Sequence, residues 1–161
     1  MLRKRQSGFT LIEMMIVIAV LTIMASIAIP NFMSLLPGMR LNGAARQVMG
    51  DLMAARMKAV KENNNYKVTF QDSTHYEIWD DDGSDGADHD SETTSDDIKN
   101  IQNEYDNVIF SSTGDPIFTP RGVIKSLSST ATITFQNTSG GCKKVKVSIT
   151  GRVKIAECED S

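Results

Sequence analysis

The sequence predicts an α+β fold in which one long N-terminal helix packs on a largely antiparallel β-sheet. Three observations predict it. No charged residue interrupts the apolar stretch from Met14 to Ile29. A helically spaced apolar stripe then continues towards Glu62, and beyond Asn63 only short alternating segments follow. Helix first and strands afterwards is the order of an α+β module; a parallel sheet would need helices between its strands.

A chain of 161 residues suffices for one domain plus an extension. Its charge is segregated. Residues 1–62 hold eight Lys/Arg against three acids, a net +5, and the remainder holds nine against seventeen, a net −8. An acidic distal part lacks the basic excess of a general nucleic-acid-binding domain.

The chain opens with a basic stretch (Arg3, Lys4, Arg5), a small residue (Gly8), Phe9-Thr10-Leu11-Ile12-Glu13, and the apolar run. A secretory signal would carry its small-residue cleavage site after that run, where none occurs. The three bases favour a cytoplasmic N-terminus with the rest passing outward. About 20 helical residues cross a hydrocarbon core of roughly 30 Å, and the apolar face extends through Phe32, Met33, Leu35 and Leu36. Glu13 is the anomaly. A carboxylate in lipid costs about 2.5–3.5 kcal/mol at mid-bilayer and less near the interface, and such groups find partners. Proteolysis after Gly8 would supply one, because the freed amine of Phe9 lies one helical turn away, in the same chain or in an adjacent one.

These residues resemble the type IV pilins and type II secretion pseudopilins, in the run from Gly8 to Glu13, the basic leader and the helical Pro30. The resemblance implies cleavage between Gly8 and Phe9 by a prepilin peptidase, N-methylation of Phe9, and a role for Glu13 in assembly with other pilin or pseudopilin subunits. It also implies an inner-membrane protein with its distal domain in the periplasm, or extracellular if carried on a pilus. The expected organisation is a leader at 1–8, a transmembrane and filament-core helix at 9–29, an amphipathic continuation at 30–62, and a β-rich region at 63–161.

Past Pro30, Leu41, Ala45, Val48, Leu52, Ala55, Ala59 and Val60 form one stripe, with Arg40, Arg46, Arg56 and Lys61 largely off it. Pro30 and Pro37 are expected to kink or locally unwind the helix, and Gly38, Gly43 and Gly50 to weaken it. Met33, Met39, Met49, Met53 and Met57 read as adaptable packing. Asn63-Asn64-Asn65 ends the helix. Tyr66–Phe70 and His75–Trp79 then form a candidate hairpin, with further strands at 107–110, 131–136, 143–149 and 152–156.

The last hairpin can be registered. Pairing Val147 with Val153 and Val145 with Ile155 leaves Ile149-Thr150-Gly151 as a three-residue loop, with Gly151 in the left-handed position. The same register sets Cys142 opposite Cys158, and an exported chain favours a disulfide between them. Val108-Ile109-Phe110, Gly114, Ile117–Gly122, the strand at 131–136 and Ser148–Val153 together look like the GspH/FimT branch of minor pilins and pseudopilins. That likeness implies a low-abundance tip or priming subunit.

Seven acids and two glycines fall within Asp80–Glu92. Counting Asp81 as the first position of a calcium loop makes Asp85 fifth and Glu92 twelfth, but Gly83 occupies the third and no flanking helices are evident. The segment is therefore either a looser Ca2+ site at Asp81, Asp85 and Glu92 or a solvated acidic loop. His75 and His89 lie in separate segments, and no nucleophile or phosphate-loop motif occurs. Nothing argues for an enzyme. Lys143, Lys144, Lys146, Arg152 and Lys154 cluster on the terminal hairpin, largely opposite Val145, Val147 and Val153. In the FimT side of the family a basic Gly-Arg-x-Arg at this hairpin is associated with DNA capture, which makes Arg152 and Lys154 candidate DNA contacts. Three functions follow: a filament subunit, a nucleic-acid-binding tip module, and a calcium-binding surface protein that never assembles.

Overall fold

The computed structural model describes residues 9–81, 98–125 and 130–158. The chain divides into two compact units, with the division falling between Leu36 and Pro37. The first unit is helical throughout its described length after Thr10, and the second holds the rest of that helix and two sheets.

Helix α1 covers Leu11–Glu62. It remains helical through Pro30 and Pro37, so neither proline unwinds it: each removes one backbone donor, and the turns on either side keep the ladder. Thr10 starts the helix, its Oγ1 accepting from the Glu13 amide at 3.3 Å. Asn63, at φ 54°, ends it.

The distal part of α1 buries Leu41, Ala44, Ala45, Val48, Leu52, Ala55 and Ala59. Four of the seven are alanines, which lets the backbone approach the sheets closely; Leu52 and Val48 supply the bulk. Val60 faces outward, as do Met39, Met53 and Met57, leaving Met49 as the methionine packed against the core. The methionines thus do not form the expected packing stripe, because the buried positions occupy the opposite side of the helix. Gly43 has a specific use: a Cβ there would stand 2.4 Å from Tyr105, whose ring covers the glycine.

Eight strands follow. They are β1 (Asn65–Phe70), β2 (His75–Asp81), β3 (Ile98–Asn100), β4 (Val108–Ser112), β5 (Ile117–Phe118), β6 (Ala131–Asn137), β7 (Cys142–Val147) and β8 (Val153–Glu157). A 3-10 turn at Ile101–Asn103 follows β3. They build two four-stranded antiparallel sheets, ordered β3-β2-β1-β5 and β4-β6-β7-β8, where the sequence suggested one. The short strands β3 and β5 complete the first sheet and have no strong alternation of their own.

Core side chains follow the period of two. In β6, Ala131, Ile133 and Phe135 are buried while Gln136 is exposed. An aromatic row joins the sheets: Phe110 lies 5.4 Å from Phe70, 6.1 Å from Tyr76 and 5.8 Å from Phe135, between ring centroids. Such tilted and edge-on pairs add about 0.5–1.5 kcal/mol each beyond their area.

The terminal hairpin pairs Val147 with Val153 and Val145 with Ile155. Its loop is closed by Ser148 N–H to Arg152 O at 2.9 Å and Gly151 N–H to Ser148 O at 2.8 Å, with Gly151 at φ 74°. Cys142 and Cys158 are joined by a disulfide across the same ladder, their Cα atoms 5.7 Å apart.

Candidate functional site

Two surfaces carry the candidate functional residues. The first is the start of α1. Phe9 is 80% exposed, and every residue from Phe9 to Leu35 is exposed in the isolated chain. The helix is long and apolar enough to cross a membrane. Its hydroxyls satisfy themselves: Thr22 Oγ1 donates to Ile18 O at 2.8 Å, Ser26 Oγ to Ile23 O at 2.7 Å and Ser34 Oγ to Asn31 O at 2.8 Å. A segment that leaves no hydroxyl hydrogen wanting can be transferred to lipid or to a dry helical interface without that penalty.

Glu13 lies in the first turn of α1. Thr10-Leu11-Ile12-Glu13 is the Thr-x-x-Glu order of a capping box, a signal carried by the sequence itself. The unsatisfied N–H groups of that turn present partial positive charge, so the carboxylate is favoured there even before any amine is released. Gly8 lies outside the described residues, and so do Asp85, Glu92, His89 and the side chain of Asp81. Among the described residues no cluster of three metal-ligating side chains occurs.

The second surface is the outer face of the β4-β6-β7-β8 sheet. Lys144, Lys146, Arg152 and Lys154 share it, since alternation sends Val145, Val147 and Val153 inward. Lys143 does not: it sits on the inner side of the pleat and pairs with Glu157. Lys146 stands directly opposite Lys154 in the register. Together with Arg152, Thr130, Ser148 and Thr150 they line a groove of about 360 Å³. His75 opens β2, its Nδ1 2.8 Å from Asp72 Oδ2.

The family model for the prokaryotic N-terminal methylation motif matches residues 3–29. The model for type II transport protein GspH matches residues 44–151. The chain belongs to the GspH family. Among curated proteins, type II secretion system core protein G of Aeromonas hydrophila is 38% identical over 74 residues, covering 44% of this chain. The chain spans about half the length of that relative, 49%.

Among solved structures, the type IV minor pilin FimU of Pseudomonas aeruginosa superposes with a TM-score of 0.55 at 16% identity, over 72% of this chain and 92% of that one. The minor pseudopilin EpsH of the Vibrio cholerae type 2 secretion system gives 0.53 at 9% identity, over 73% and 97%. At such identities the likeness shows the shared fold: one long N-terminal helix on antiparallel sheets. That is the pilin-like architecture expected for this GspH-family chain.

Proposed function

We propose that this GspH-family chain is a minor pilin or pseudopilin subunit that assembles through its N-terminal helix into a type IV pilus or a type II secretion pseudopilus, acting at initiation or at the tip. The observation that carries the reading is the wholly exposed apolar stretch from Phe9 to Leu35, with a single carboxylate, Glu13, in its first turn. A simple anchor gains from the acid no more than its favourable place in the first helical turn. An assembly helix has a use for one.

On this reading the precursor sits in the inner membrane with its leader in the cytoplasm and residues 63–161 in the periplasm. A prepilin peptidase removes residues 1–8 and the amine of Phe9 is methylated. The amine of one subunit then pairs with Glu13 of the same or a neighbouring helix. In a water-poor helical bundle an unpaired carboxylate is far more costly than a paired one, so the pair fixes register whatever its net contribution to stability. The chain acts as a structural subunit, and its partners are other pilin or pseudopilin subunits.

The test is Glu13→Ala in the full-length precursor, followed for membrane insertion and for incorporation into filaments. Insertion is expected to persist and incorporation to be lost. Normal incorporation would sink the reading.

A further inference from the structure

The outer edge of β8 adjoins the basic face of its sheet. Strand β8 ends its sheet and pairs on one side, with β7. The phase of that ladder is set by Ser148 N–H bonding Arg152 O, which makes 148/152, 146/154 and 144/156 the hydrogen-bonded pairs. The N–H and C=O groups of Val153, Ile155 and Glu157 therefore point away from β7, to an edge that no strand among the described residues covers. An edge of this kind is a template for another extended strand.

The charge on the adjoining face is one-sided. Among the described residues, Lys144, Lys146, Arg152 and Lys154 have no carboxylate within ion-pair distance. Like charges placed directly opposite destabilise a hairpin, so the Lys146/Lys154 pair is not explained by the stability of β7-β8. A bound anion would convert that repulsion into attraction. The groove lining adds the hydroxyl of Thr130, while those of Ser148 and Thr150 bond each other at 2.8 Å.

We infer that β8 is extended by an acidic strand of a neighbouring subunit, whose backbone pairs with Val153, Ile155 and Glu157 and whose outward carboxylates meet Lys146, Arg152 and Lys154. A nucleic acid fits less well. Among the described residues the face presents no aromatic side chain for base stacking, and the chain after residue 62 is net −8, which repels a long phosphate backbone but not a short carboxylate segment. The inference rests on the assembly reading only for the source of the strand.

The experiment uses the full chain in detergent micelles and synthetic peptides of alternating Val-Asp, Val-Asn or Val-Lys. Amide hydrogen exchange is followed at Val153, Ile155 and Glu157. The Val-Asp peptide is expected to slow exchange at these three amides by about tenfold or more, with the effect fading as salt is raised. Val-Lys should do nothing, and Lys146→Glu with Lys154→Glu should reverse the two preferences. Equal protection by Val-Lys, or none by Val-Asp, overturns the inference. So does duplex DNA that perturbs the lysines while the acidic peptide leaves the edge amides unprotected. Because peptides probe the edge directly, failure here leaves filament assembly untouched, and failed assembly leaves the peptide result standing.

Discussion

The hydroxyl of Tyr76 donates to the Asp51 carboxylate at 2.5 Å, tying β2 to the distal part of α1. Lys99 of β3 meets the other oxygen of Asp51 at 2.6 Å. One helix acid thus holds two strands of the first sheet, through a tyrosine that is fully buried. Tyr76→Phe keeps the packing and removes the bond, and is expected to cost about 1.5–3 kcal/mol in chemical denaturation at neutral pH.

Burial, and then the bond and charge of Asp51, push the Tyr76 hydroxyl well above its ordinary value of 10.0. A group whose pKa is raised on folding contributes stability that is present below the unfolded value and is lost as pH climbs past it. The wild type should lose stability above pH 10 by more than Tyr76→Phe does, as read from paired unfolding curves. Parallel losses would contradict the assignment.

Asp72 works in the opposite direction. The Thr74 amide donates to its Oδ1 at 2.6 Å, and the Thr74 hydroxyl and the His75 amide do so at 2.8 Å. These bonds, led by the Thr74 amide, hold the carboxyl well below its ordinary value of 3.8. Its contribution is present above that value and is lost as pH falls through the lower one. Asp72→Asn should therefore be less stable than wild type at neutral pH, with the gap closing on acidification below pH 3.8.

Gly151→Ala meets two obstacles. The residue sits at φ 74°, and a Cβ there would stand 2.0 Å from the carbonyl oxygen of Gly122. Left-handed backbone alone costs a β-carbon about 1–2 kcal/mol, so the variant should lose more than that once the clash is added. Arg56 is expected to register the same displacement, because its Nε donates to that carbonyl at 2.8 Å. A melting temperature unchanged by Gly151→Ala would refute this.

Reduction of Cys142–Cys158, or Cys142→Ser with Cys158→Ser, should destabilise the chain by up to about 3 kcal/mol, the closure entropy of a loop near this size. The effect should centre on β8. Hydrogen exchange rising across 142–158 before the rest of the sheets would show it.

What could be read beforehand follows from range. The terminal hairpin was legible because alternating valines and Gly151 specify register and loop locally. The buried face of α1 was legible through Leu41, Val48 and Leu52, although the helix phase leaves Val60, Met39, Met53 and Met57 outside. Strands β3 and β5 were not legible: three and two residues offer no period. Nor was the Asp51–Tyr76–Lys99 link, whose partners are far apart in the chain and meet only when the sheet folds on the helix. At the N-terminus the apolar run and Glu13 are plain in the sequence, whereas the Thr10 cap rests on a single hydroxyl contact to the Glu13 amide.

The central claim is that the first residues are both a signal and an assembly interface. The intact mass of the chain recovered from its native membrane tests this most directly. A mature protein beginning at Phe9, lacking residues 1–8 and carrying one added methyl group on its new amine, is expected. A full-length chain with Met1 in place and an unmodified Phe9 would contradict it.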